Sequence, residues 1–254
     1  MNLRLHSFPC LHLEYGHARK LINVIMIGFC VFISTGATVS AAANNSGISV
    51  SASDSKAVFE QAVADYFSGR YGQAQKRFAE LRNSDFAAAS AVPAAVNLVA
   101  MGNYTSAQRA FEHIQKNADV REKEYAQLWE LWLTAKQWRG SNKGLINKLN
   151  KLVAAHDWQP SYMQDIAKVY AGQENVEDLF NSLSTQGLDE ASHKDAFTEA
   201  TFFAGGYLQN VKHDNAAAMQ LFNDNLNKLN SVSLERPFID RECASLNKLT
   251  HHSK

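Results

Sequence analysis

The chain has 254 residues, 25 Lys+Arg against 25 Asp+Glu, and 46% apolar residues, the make-up of a globular protein with one large domain or two small ones. A formal net charge of zero, with no block of like charge, excludes a nucleic-acid binder whose affinity comes from phosphate neutralisation. Of the three cysteines, Cys10 and Cys30 fall within the first forty residues, so a product lacking that segment keeps only Cys243 and no intramolecular disulfide.

Residues 1–41 have the parts of an export signal. Arg19-Lys20 precede an apolar stretch from Leu21 to Val39, and Ser40-Ala41-Ala42-Ala43 follow. Cleavage is expected after Ala41, with Val39 and Ala41 at the −3 and −1 positions. The alternative is an uncleaved signal holding the protein in the inner membrane, since the stretch is nearly long enough to span a bilayer. Ser34, Thr35, Gly36 and Thr38 weaken its far end. Cys30 follows Ile27-Gly28-Phe29, without the small residues that a lipoprotein signal places directly before its cysteine, so no stable membrane anchor is expected. Residues 42–55 are small and polar and read as a flexible leader. Residues 56–254 read as one helical repeat domain.

That domain repeats itself. Gly69-Arg-Tyr71-Gly-Gln-Ala74-Gln-Lys-Arg-Phe78 and Gly102-Asn-Tyr104-Thr-Ser-Ala107-Gln-Arg-Ala-Phe111 share the pattern G-x-Y-x-x-A-x-x-x-F at an offset of 33 residues. The physics of such a unit is a pair of antiparallel helices. The Gly ends the first helix through a positive φ, and the aromatic packs over the turn. The Ala lets the helices approach, and the Phe fills the space one turn further on.

Later copies are less regular. Trp138 continues the aromatic position between helical patterns at Tyr125–Gln137 and Lys143–Ala155. A fourth pair spans Tyr162–Tyr170 and Val176–Leu183, divided at Gly172. In a fifth, Asp195–Val211 and Asn215–Leu229, Gly206, Ala218 and Phe222 take the places of the first-helix Gly, the second-helix Ala and the Phe. A last helix, Leu234–Leu249, with Pro237 in its first turn, is expected to be the polar cap that closes a stacked array. Pro93 predicts a helix that starts near Ala91 or has a distorted first turn. No segment alternates with period two. The expected fold is all-α, a right-handed solenoid of antiparallel helix pairs of the tetratricopeptide type with a C-terminal capping helix.

The order of these parts resembles the NlpI family of bacterial tetratricopeptide lipoproteins. Two clear repeats are followed by Leu128-Trp129-Glu130-Leu131-Trp132-Leu133. Trp158, Tyr170, Gly172 and Leu179 then keep that family's spacing, and Glu199-Ala-Thr-Phe-Phe-Ala-Gly-Gly-Tyr207 matches the opening of its last full repeat. The likeness covers about residues 58–230. It implies a homodimeric periplasmic scaffold whose partners are an envelope processing protease and peptidoglycan hydrolases. A second class stays open, an assembly chaperone or accessory subunit of a secretion or pilus system.

Candidate chemistry is sparse, and neither a cofactor nor an enzyme activity is expected. Glu190-Ala-Ser-His193 is an E-x-x-H without the second copy that a di-iron bundle needs, and Asp189 and Glu190 suit a helix start better. His156-Asp157 pairs an acid and a base that do not face each other on a helix. His251-His252 read as a solvated tail, and Cys243 as a partly buried thiol. Tyr125, Trp129 and Trp132 lie at helical spacing and read as inter-helix core; alternatively Trp129 and Trp132, with Asn97, line a concave groove that anchors a partner. Asn103, between Gly102 and Tyr104, reads as a turn residue.

Overall fold

The structure is a computed structural model and describes residues 52–252, with side chains described for 54–246. The expected signal peptide, residues 1–41, and most of the leader lie outside the described residues. The last residues of the expected flexible leader are helical, since the first helix already begins at Ala52.

The described residues form eleven α-helices and no strand. They are α1 (Ala52–Phe67), α2 (Tyr71–Glu80), α3 (Ala87–Ala100), α4 (Tyr104–Asn117), α5 (Val120–Gln137), α6 (Asn142–Ala154), α7 (Tyr162–Tyr170), α8 (Val176–Thr185), α9 (Glu190–Asn210), α10 (Asn215–Asn225) and α11 (Arg236–His252). Consecutive helices pack on one another from α1 to α10. α5, α7 and α9 also pack together directly, so the third and fifth pairs touch without being neighbours in sequence.

The turns explain why the chain reverses where it does. Gly69, Gly102 and Gly172 have φ of 72°, 73° and 68°. Each donates its N–H to the carbonyl three residues back, Tyr66, Val99 and Val169 at 3.0, 2.9 and 3.0 Å. The following residue donates to the carbonyl five back, Asp65, Leu98 and Lys168 at 2.8, 2.9 and 2.9 Å. This double bond set closes a helix end around a left-handed residue, which Gly adopts without a Cβ clash. Side-chain caps start the helices that follow. Asn103, Asp119, Ser141, Asn175, Asp189 and Asp214 each accept the backbone N–H three residues on. Asn103 is thus a helix cap within its turn, and Asp189 starts α9 five residues earlier than the apolar pattern suggests.

The matched repeat positions sit between paired helices. Ala74, Ala107 and Ala218 are fully buried, as are Phe78, Phe111 and Phe222 to within 2%. Tyr71 and Tyr104 are half-buried over their turns. Gly206 lies inside α9, twelve residues before Ala218; the same offset before Ala74 and Ala107 falls on Ala62 and Ala95, both fully buried. A Cβ on Gly206 would come within 2.5 Å of the Trp132 ring, so this place admits only the smallest residue. Seven residues on from Ala62, Ala95 and Gly206 stand Gly69, Gly102 and His213. His213 has φ 56°, the left-handed conformation without the glycine that suits it.

Two expectations need correction. α3 runs through Pro93 from a start at Ala87, so the proline is interior, and Ala89 loses the N–H donor four residues on. α11 is not a polar end cap. It folds inward and buries Phe238, Ile239, Cys243 and Leu246. The Phe238 ring centre lies 5.4 Å from those of both Trp129 and Phe202. The reason is that α11 is amphipathic and its apolar side meets an aromatic surface left open by α5 and α9. Among the described residues no helix is long and apolar enough to cross a membrane.

Candidate functional site

The proposed partner groove is occupied. Trp129 is fully buried, stacked on Phe111 (5.6 Å, 6° between planes) and packed against Phe202, Phe203 and Phe238. Trp132 is 4% exposed, stacked on Phe202 and beside Tyr104. Asn97 is also fully buried; its Nδ2 donates to the Tyr71 carbonyl and to Gln75 Oε1, both at 3.0 Å, and ties α3 to the start of α2. The structure therefore corrects the groove assignment for Trp129, Trp132 and Asn97: all three are core. The aromatic surface they would have offered is covered by α11. Trp138 packs over Gly140 and Gly144 and donates Nε1 to the Ser141 carbonyl at 3.0 Å, closing the α5–α6 turn.

The sequence candidates for chemistry are not brought together. Asp189 caps α9, and the hydrogen bonds it accepts from Ser192 hold its carboxyl below the usual range. His193 stacks near Phe197. The His156 ring packs on Trp158, and burial lowers its pKa. No group of three or more His, Cys, Asp or Glu suited to a metal occurs among the described residues. The side chains of His251 and His252 lie outside the described residues.

The structure instead assembles a site that the sequence reading did not contain. An open-sided pocket of about 90 Å³ lies between α1, α3, α5, α9 and the segment 230–235. Val63, Val92 and Pro93 form its apolar wall, and Arg121, Tyr125, Asp195, Glu199 and Glu235 its polar one. Glu199 is 7% exposed and Glu235 1%. The Tyr162 hydroxyl donates to Glu199 Oε2 at 2.9 Å, and Arg121 Nη2 stands 3.5 Å from Oε1. Glu235 accepts hydrogen bonds from the Tyr125 hydroxyl and from Ser233 Oγ. Its carbonyl accepts the N–H of Ile239 at 3.1 Å, so the same residue opens α11. The Tyr66 hydroxyl donates to the Leu234 carbonyl, and Asn230 is held by Asp195 and by Thr198 Oγ1.

Burial dominates the electrostatics. It pushes the Glu199 carboxyl up to about 8, against the pull of Arg121 and with the help of Glu235. It raises Glu235 too, while bonds from Ser233 and Tyr125 oppose the rise. Burial, then the neighbouring carboxylates, lift the Tyr66, Tyr125 and Tyr162 hydroxyls above their ordinary value. The arrangement can hold the C-terminal segment against the helical array.

A faint signal for Glu199 existed, a carboxylate within the apolar run from Ala196 to Tyr207. Glu235, before Arg236-Pro237, had none. No family model matches this sequence, and no curated protein matches it.

Proposed function

We propose that this protein is a non-enzymatic interaction scaffold built from tetratricopeptide-like helix pairs, exported to the periplasm by its N-terminal signal. One observation carries the reading. The Ala and Phe positions of the repeated motif lie buried between paired helices, its Tyr positions are half-buried over their turns, and the glycine turns of the first two pairs close with the same hydrogen bonds. Arrays of that kind present extended surfaces to other proteins rather than a reaction centre. The likeness to the NlpI family, over about residues 58–230, supports an envelope processing protease or peptidoglycan hydrolases as partners, on a homodimeric scaffold.

The test is capture from envelope extract with the full chain, followed by direct titration of each purified binder. A protease or a hydrolase binding in the micromolar range or tighter supports the adaptor. Binding of secretion or pilus subunits instead makes it an assembly factor. Absence of saturable binding by either class overturns both.

A further inference from the structure

Two outer helices of the array carry opposite charge. α6 packs against α5 and α7, and α8 against α7 and α9. Seven of the nine residues of α7 are buried, so α6 and α8 cover it and turn their other sides to solvent. From residue 131 to 156 the chain has five cations, Lys136, Arg139, Lys143, Lys148 and Lys151, and no acid. From residue 157 to 190 it has seven acids against Lys168 alone. The cations are spaced along the chain. The α6 helix gathers the last three away from its buried Leu145, Leu149 and Val153.

Few of these charges are neutralised within the molecule. Lys136 reaches Glu242 at 4.0 Å, and Asp165 pairs with Lys168 at 2.7 Å. Arg139, Lys143, Lys148 and Lys151 stay exposed in the first segment, and Asp157, Glu177, Asp178, Asp189 and Glu190 in the second. Among the described residues no ion pair joins the two sets. Each segment also exposes a large apolar side chain, Ile146 at 38% and Leu188, between α8 and α9, at 36%. Apolar residues among charges of one sign suit a protein contact better than a bound ion. A surface of single sign, such as an anionic lipid, attracts one segment and repels the other. A second copy of this chain matches both.

We propose that this protein pairs with a second copy of itself through these surfaces, the basic side of α6 on each protomer lying against the acidic α8–α9 surface of the other. The two contacts are equivalent and form together, so the pair closes with twofold symmetry. Opposite charge sets the choice of partner and the register, and like charge excludes the alternatives of α6 on α6 and α8 on α8. Ile146 and Leu188 add apolar contact at each junction. This interface deepens the homodimeric part of the adaptor reading and rests on it.

Sedimentation velocity of the full chain over a range of concentrations gives the dimer dissociation constant. Raising salt from about 0.05 M to about 0.5 M should weaken the dimer ~10-fold or more. Two double variants should each weaken it at least as much, because like charges then meet. One carries Lys148→Glu and Lys151→Glu, the other Glu177→Lys and Glu190→Lys; all four side chains are exposed. Mixing the two variants in equal amounts should restore a dimer within ~3-fold of the parent, since an acidic α6 then meets a basic α8–α9 surface and the reverse. That recovery also shows that both variants are folded. Dimers that persist in each variant alone keep the homodimer and overturn this interface. A mixture no tighter than either variant, or assemblies that grow past the dimer, overturn it too. A parent that stays monomeric up to ~100 µM overturns this interface and the homodimer together, and leaves the adaptor reading to its own capture experiment.

Discussion

Phe238 and Trp129, 109 residues apart in sequence, place their ring centres 5.4 Å apart. The contact turns the last helix from an end cap into part of the core. It joins Trp129, itself sandwiched between Phe111 and the α9 aromatics, to a residue that follows every recognisable repeat. The interior is therefore closed by a segment that the repeat pattern does not describe.

Replacing Phe238 with Ala should remove about 3–5 kcal/mol of stability, as for a large aromatic lost from a packed core. Urea denaturation followed by Trp fluorescence measures it. A loss under about 0.5 kcal/mol, as at an exposed site, would return α11 to the surface.

Phe111→Ala should be as damaging, about 3–5 kcal/mol, because Phe111 is fully buried and stacked on Trp129. An unchanged unfolding midpoint would contradict its place between α4 and α5.

Glycines in two different roles should respond differently. A Cβ at Gly206 meets the Trp132 ring at 2.5 Å, so Gly206→Ala should cost about 1–3 kcal/mol by overpacking. Gly102 has open space around it but φ 73°, so Gly102→Ala should cost about 1–2 kcal/mol through backbone strain. Gly102→Asn should recover part of that loss, since Asn tolerates the left-handed region. Trp132→Phe should lessen the penalty at Gly206 and leave that at Gly102 unchanged, as a double-mutant cycle would show.

His213 occupies the turn position that Gly holds in the first two pairs, with φ 56°. His213→Gly should raise stability by about 0.5–1 kcal/mol, the relief of strain exceeding the entropy that Gly adds to the unfolded chain. Differential scanning calorimetry showing a lower Tm would refute this.

Stability should also fall as pH rises. The folded protein holds the Glu199 proton up to about 8, whereas an unfolded chain releases it near 4.5. Between those values the native state binds more protons, so unfolding free energy declines with pH. Urea midpoints at about pH 5 and about pH 8.5 should differ by an amount that Glu199→Gln reduces, with Glu235, also raised by burial, supplying the remainder. A wild-type midpoint that rises over this range would reverse the sign of the argument.

How much was legible depends on how local the cause is. Gly69, Gly102 and Gly172 announce their turns because the bonds that close each helix end span five residues or fewer. The Ala and Phe of the motif announce a buried stripe because helical periodicity puts them on one face. Tyr125, Trp129 and Trp132 show the same stripe, yet a stripe says only that a face is covered. Whether a partner or α11 covers it is a matter of distant chain. Pro93 misled for a related reason, since the packing of α3 outweighs the single bond that it removes.

Sequence by itself therefore determined the helices, their pairing through tight turns, and the residues between partners, all consequences of spacing within some thirty residues. Tertiary structure alone decided the rest. Tyr125 reaches Glu235 across 110 positions, and Tyr66 reaches Leu234 across 168. No periodicity encodes such pairs, because the closure of the array chooses which distant side chains share one desolvated space. Burial there, not residue type, raises the Glu199 and Glu235 carboxyls, as it also raises those of Glu122 and Glu174.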